Sequence, residues 1–105
     1  MKINVLGTEY TVEYLEMKDE DYDGYCDYTS KHIAIRADNT NKVEDFVWCQ
    51  KKQLRHEIIH AFLAESGLQC NFEHAKEYGH EETMVDWIAI QFPKLLAVFK
   101  DADAL

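Results

Sequence analysis

Two histidines four residues apart, with a glutamate directly after the first, form the run His56-Glu57-Ile58-Ile59-His60. In an α-helix each residue advances by about 100°, so positions four apart share a face, one turn apart. Both imidazoles then reach one metal ion from the same side. Glu57, one step round the helix, stands beside that ion, where a carboxylate takes a proton from water the metal activates. The chemistry implied is metal-assisted hydrolysis. Two imidazoles leave such a site incomplete, because a catalytic zinc takes a third protein ligand and keeps one position open. His74, Glu77, His80, Glu81, Glu82 and Asp86 are the candidates downstream. Glu82 borders the apolar stripe of a later helix-patterned run, which includes Val85, Ile88 and Ala89. Asp86 follows four residues on, on the same face. One carboxylate of this pair ligates, and the other accepts the free ring N–H of a ligand histidine and fixes its tautomer. Glu81 and His80 are the competing registers. Cys70 and His74 are also four apart, but they lack partners and read as a buried thiol and an exposed imidazole.

The elements that must position these groups follow from hydrophobic periodicity. Ile3, Val5, Tyr10, Val12 and Tyr14 alternate with polar residues, which predicts a hairpin over residues 2–15 with its turn at Gly7-Thr8. Asp19, Asp21 and Asp23 alternate in an acidic loop over 16–24. Ser30 stands where a calcium loop of that spacing needs its bidentate glutamate, so the loop reads as solvated charge. A second hairpin is predicted over 25–36, with Thr29-Ser30-Lys31 between its strands. Asn41 is the expected N-cap of the motif helix, with Glu44 completing a capping box. Gly67 is the expected stop, in the left-handed conformation, giving a helix of about 25 residues. A short helix over Phe72–Tyr78, capped by Asn71, is expected next. A last helix from about Glu81 should kink or break near Gln91 because Pro93 lies inside it. Residues Asp101–Leu105 are expected to fray. Trp48 and Trp87 are expected in the core or at an interface, and Tyr22, Tyr25 and Tyr28 as anchors of the sheet to its loops. The fold class expected is α+β: a small, mostly antiparallel sheet of about four strands, a long helix and a closing helix.

The 105 residues suffice for one domain with one core. A formal charge of −9 disfavours phosphate backbones, so no nucleic-acid partner is expected. No stretch approaches the roughly 20 apolar residues of a membrane span, and the first residues lack an apolar signal core. Three cysteines without a C-x-x-C fit a reducing compartment, so the expected location is cytoplasmic.

H-E-x-x-H followed by E-x-x-x-D, here Glu82-Thr83-Met84-Val85-Asp86, resembles the gluzincin metallopeptidases. The layout looks like the minimal members, the ImmA/IrrE-like peptidases of mobile elements and related small phage-encoded proteins. The wording Leu54-Arg55-His56-Glu57-Ile58-Ile59-His60-Ala61-Phe62 and Val85-Asp86-Trp87-Ile88-Ala89 carries the likeness to the phage group, and the resemblance spans about Ile33 to Phe99. It implies a zincin-like fold and a Zn2+ ion held by His56, His60 and Glu82, with Asp86 bonded to a ligand histidine. It also implies Glu57 as general base, a protein or peptide substrate, and action in a host cytoplasm. His80 in place of Glu82 would give a three-histidine site like that of the SprT-like peptidases. Tyr25, Tyr28, His74 and Tyr78 are the candidate oxyanion donors, and the strand His32–Arg36 is the candidate to pair with an extended substrate. The competing reading is a non-catalytic acidic protein that keeps a structural metal site and blocks a host partner.

Overall fold

Alternation of apolar and polar residues builds the first two strands, β1 (Lys2–Val5) and β2 (Thr8–Leu15), paired antiparallel with Val5 opposite Thr8. The turn is therefore Leu6-Gly7, one residue earlier than the glycine alone suggested. Both turn residues are left-handed, with φ of 50° and 93°, as a two-residue hairpin that matches strand twist requires. Asn4 Oδ1 accepts the Gly7 N–H at 2.7 Å and holds Leu6 in a conformation that side chains rarely adopt. The computed structural model describes residues 1–70 and 82–105, apart from the side chains of Glu82, Thr83, Val85, Asp86 and Ala89. The short helix expected over Phe72–Tyr78 lies outside those residues, as do His74, Glu77, His80 and Glu81.

The second hairpin joins β3 (Gly24–Asp27) to β4 (His32–Arg36). Asp27 Oδ1 accepts the Thr29 hydroxyl and the main-chain N–H groups of Thr29 and Ser30. These bonds, the Thr29 hydroxyl first, hold its carboxyl at about 2. The strands lie in the order β1-β2-β4-β3, with β2 and β4 parallel and the other pairs antiparallel. Strand β4 is thus interior. Its run Ile33-Ala34-Ile35-Arg36 is buried throughout, as a strand flanked on both sides demands.

The acidic loop before β3 is organised by the buried Arg36. Its Nη2 donates to the main-chain oxygens of Glu20 and Tyr22 at 2.5 and 2.8 Å, and its Nη1 donates to Asp38 Oδ2 at 3.2 Å. Arg36 Nε lies 3.3 Å from Asp23 Oδ1. A guanidinium fork collects several oxygens at once, which a lone ammonium would not do with the same geometry.

Helix α1 (Phe46–Glu65) carries the H-E-x-x-H run. Its N-cap is Asp45, whose Oδ1 accepts the Trp48 N–H at 3.1 Å. The expected cap at Asn41 is corrected. Asn39 takes the Val43 N–H at 2.9 Å and donates to the Val43 carbonyl at 3.0 Å, and Lys42 is left-handed at φ 54°. That local bonding competes with helix and delays its start by a turn. Trp48 is 55% exposed beneath Lys52 Nζ and is no core residue. At the other end Gly67 is left-handed at φ 82° and its N–H reaches the Ala64 carbonyl at 3.2 Å, as expected of the stop. A 3₁₀ turn, Leu68–Cys70, follows.

Helix α2 (Glu82–Asp101) runs unbroken through Pro93, so of the kink or break expected near Gln91 the break does not occur. Leu95, Val98 and Ala102 beyond the proline are all buried in the core, which holds the helix together across the missing hydrogen bond. The tail does not fray. Ala104 N–H bonds the Phe99 carbonyl and Asp103 N–H the Lys100 carbonyl, at 2.9 and 3.1 Å, with Asp103 left-handed at φ 53°. This is a full Schellman closure, formed without glycine. Arg55 Nη1 then donates to the Ala104 carbonyl at 2.6 Å, and Lys51 Nζ to the Leu105 oxygen at 3.0 Å.

Both helices cover one face of the sheet. Leu54, Ile58, Ala61 and Phe62 of α1 pack with Val5, Tyr10, Val12, Ile33 and Ile35 in one buried cluster, and Leu95, Val98 and Ala102 of α2 join it. The architecture is α+β, as expected. Glu65 fixes the last turn of α1 to the sheet. It accepts Lys31 Nζ at 2.7 Å, the buried Tyr10 hydroxyl at 2.8 Å and Thr8 Oγ1 at 3.1 Å. The lysine contact, then the tyrosine bond, holds its carboxyl below the usual range. Burial and this carboxylate raise the Tyr10 phenol.

A carboxyl with a depressed pKa stabilises the fold above its unfolded value and ceases to do so as pH falls through the folded one. Glu65→Gln should therefore destabilise the protein by about 1–2 kcal/mol at neutral pH. In urea titrations its deficit should shrink once pH drops below the ordinary carboxyl value of 4.5.

Candidate metal centre

The apolar stripe of α1 decides where the motif faces. Taking Ile58 as pointing at the sheet, Glu57 stands about 100° round the helix, and His56 and His60 about 160° away on either side. The burial follows: both histidines are exposed, whereas Glu57 is 4% exposed, at the seam between helix and sheet. His56 Nε2 and His60 Nε2 lie 3.1 Å apart, with ring centroids 4.7 Å apart and the planes inclined at 71°. Two imidazoles bound 2.0–2.1 Å from one tetrahedral centre stand about 3.3 Å apart, so the rings already converge as a shared ion requires. Without an ion, one ring donates to the other. Glu57 Oε2 accepts Gln53 Nε2 at 2.5 Å. Ligand atoms of His56, Glu57 and His60 all lie within 4.8 Å of one another. These three residues could hold a metal ion.

The group opens into a cleft of about 480 Å3 between α1 and β3. Tyr22, Tyr25 and Tyr28, all exposed, line its far wall, and Gln69 of the 3₁₀ turn closes one end. Tyr25 meets Tyr22 and His32 edge-on, with centroids 6.1 and 5.7 Å away. Cys26 also faces the cleft. Burial, then the Glu57 carboxylate, push its thiol up to about 11. A second cavity of about 80 Å3 shares Asp23 and Gln53 with the cleft and is walled by Ile35, Val43, Phe46 and Cys49.

Among the described residues the edge beside the site is β3. The expectation that His32–Arg36 pairs with a substrate is corrected, since β4 is bonded to β2 on one side and β3 on the other. Arg36 N–H donates to the Asp23 carbonyl at 2.9 Å. By antiparallel alternation, Tyr25 and Asp27 then bond β4, and the main-chain N–H and C=O of Gly24 and Cys26 point outward.

The structure brings His56, Glu57 and His60 together. It places Glu82 and Asp86 in α2, one turn apart, but their side chains lie outside those described. Trp87 Nε1 donates to Ser66 Oγ at 3.2 Å, which brings the start of α2 alongside the end of α1. Tyr25 and Tyr28 reach the cleft; the other oxyanion candidates, His74 and Tyr78, lie outside the described residues. Gln53 was missed in the sequence. Its position, one turn before Glu57 on the same side, is the signal that would have found it. Among the described residues no helix is long and apolar enough to cross a membrane.

Compared with models of known protein families, with curated proteins and with solved structures, the chain matches none. The resemblance to gluzincins therefore rests on the motif residues of the sequence alone.

The convergence of two imidazoles gives a direct expectation. Dialysed against Zn2+, the protein should bind about one ion per chain by elemental analysis, and His56→Ala or His60→Ala should remove most of that uptake without unfolding the chain.

Proposed function

We propose that this protein is a zinc-dependent peptidase of gluzincin type. The observation that carries the reading is the 3.1 Å convergence of the His56 and His60 Nε2 atoms with the buried Glu57 carboxylate beside them. Hydrolysis needs an electrophile, a base next to it and room for an extended chain. His56 and His60 would hold the zinc, with Glu82 of α2 as the third ligand and Asp86 bonded to a ligand histidine. A zinc ion bound there supplies Lewis-acid polarisation of the scissile carbonyl and of the attacking water.

The chain's own groups do the rest. Glu57 takes a proton from the attacking water and passes it to the leaving amine. Its near-complete burial keeps that carboxylate close to the reacting atoms and away from bulk water. The outward main-chain groups of Gly24 and Cys26 offer an extended peptide the hydrogen bonds of an added strand along the cleft. The small cavity beside Gln53, where Ile35, Val43 and Phe46 stand with the polar Asp38, Asn39 and Asn41, is suited to one side chain of that peptide. Tyr25 or Tyr28, both in the cleft wall, supplies the donor for the developing oxyanion. An extended segment of a protein is the substrate class that fits. The acidic chain and the absence of Lys and Arg from the described lining of the cleft disfavour nucleic acid. Action in a host cytoplasm, as a phage-encoded or mobile-element protein, belongs to the same proposal.

Glu57→Gln separates catalysis from binding. The variant should keep zinc but lose about 10²–10⁴-fold in the rate at which the zinc-loaded protein cleaves a mixture of extended peptides, followed by mass spectrometry. Cleavage at the wild-type rate, or failure of the native protein to take up zinc, rejects the proposal.

A further inference from the structure

We infer that Gln53 is the positioning residue for Glu57, holding its carboxylate in one orientation at the wall of the cleft. This inference rests on the peptidase reading. Gln53 precedes Glu57 by one helical turn, and its Nε2 donates to Glu57 Oε2 at 2.5 Å. The amide N–H donates and the carboxylate accepts, so this bond fixes the rotamer and plane of the Glu57 carboxylate. Glu57 lines the cleft, so the carboxylate that Gln53 holds stands where water and leaving amine must be.

Gln53 is itself held in place. Gly24 of β3 lies against its stem: a Cβ at Gly24 would stand 3.1 Å from Gln53 Cγ and 2.8 Å from the Ala34 carbonyl oxygen. A side chain there would have to push the glutamine aside. The same Gly24 presents its main-chain groups at the open edge of the sheet. Strand, amide and carboxylate therefore stand in series, and the substrate's strand and the base share one reference surface. Gln53 lines the cleft beside Glu57, and its bond is to the base itself, so the role argued for it is orientation and not chemistry.

Gln53→Met tests this, because methionine keeps an unbranched stem of similar volume and has no donor. In the zinc-loaded protein kcat should fall about tenfold or more, a larger change than any in KM. Zinc stoichiometry and thermal midpoint should match the wild type. A residue that only supports the fold would instead lower the midpoint, and kcat would recover when assayed well below it. An independent readout uses metal-free protein. The side-chain amide resonances of Gln53 should move on Glu57→Ala, and their staying in place overturns the contact. An active wild type with an unimpaired Gln53→Met variant rejects the role of Gln53 alone. A zinc-loaded wild type that hydrolyses nothing rejects the peptidase reading and this role with it.

Discussion

The structure depends on one packing constraint: the stripe Leu54, Ile58, Ala61 and Phe62 of α1 lies on the sheet face that carries Tyr10, Val12, Ile33 and Ile35. Burial of such side chains is worth about 1.5–3 kcal/mol each, so the rotation of α1 about its own axis is strongly fixed. The helical repeat then leaves no choice for the motif. Glu57 must fall at the seam and the two histidines on the open side. A carboxylate at a seam is costly to desolvate unless it is bonded, and Gln53 supplies that bond. The chemistry of the site is a by-product of where the apolar stripe sits.

Edge formation follows from the same sheet. Placing β4 between β2 and β3 makes the least polar strand interior and leaves β3 as the border beside α1. Its neighbours Tyr22 and Tyr28 and the charged loop before it form the rim of the cleft. Five carboxylates lie close together in that loop, at Glu16, Asp19, Glu20, Asp21 and Asp23, and would otherwise repel one another. Arg36, almost without solvent contact, binds two main-chain oxygens of the loop and lies against the Asp23 carboxylate, so the rim has a fixed course.

Much of this was legible in the chain itself. The period-two and period-3.6 patterns gave both hairpins and both described helices, and the spacing of His56, Glu57 and His60 gave their convergence. What was not legible depended on competition between local bonds or on topology. Asn41 and Glu44 make a plausible cap, yet Asn39 bonds both main-chain groups of Val43 and postpones the helix to Asp45. Two hairpins do not reveal which strand of the second meets the first, and the edge that the zincin resemblance implies for β4 belongs, among the described residues, to β3. Pro93 predicts a break only when nothing else holds the helix, and the buried residues after it do. The tail looked loose because its anchors, Lys51 and Arg55, lie about half the chain away.

Those anchors bear on how far the motif can be moved between proteins. Helix α1 is gripped at its last turn by Thr8, Tyr10 and Lys31 and in its first half by the main chain of Ala104 and Leu105. The partners come from both directions along the chain, 34 to 57 residues away. A helix of this length is only marginally stable by itself in water. Excised as a peptide, or grafted onto a scaffold without equivalent grips, the five-residue run would lose the fixed axis that brings its rings together. The geometry belongs to the whole chain, and it forms only after the loops on both sides of α1 have closed.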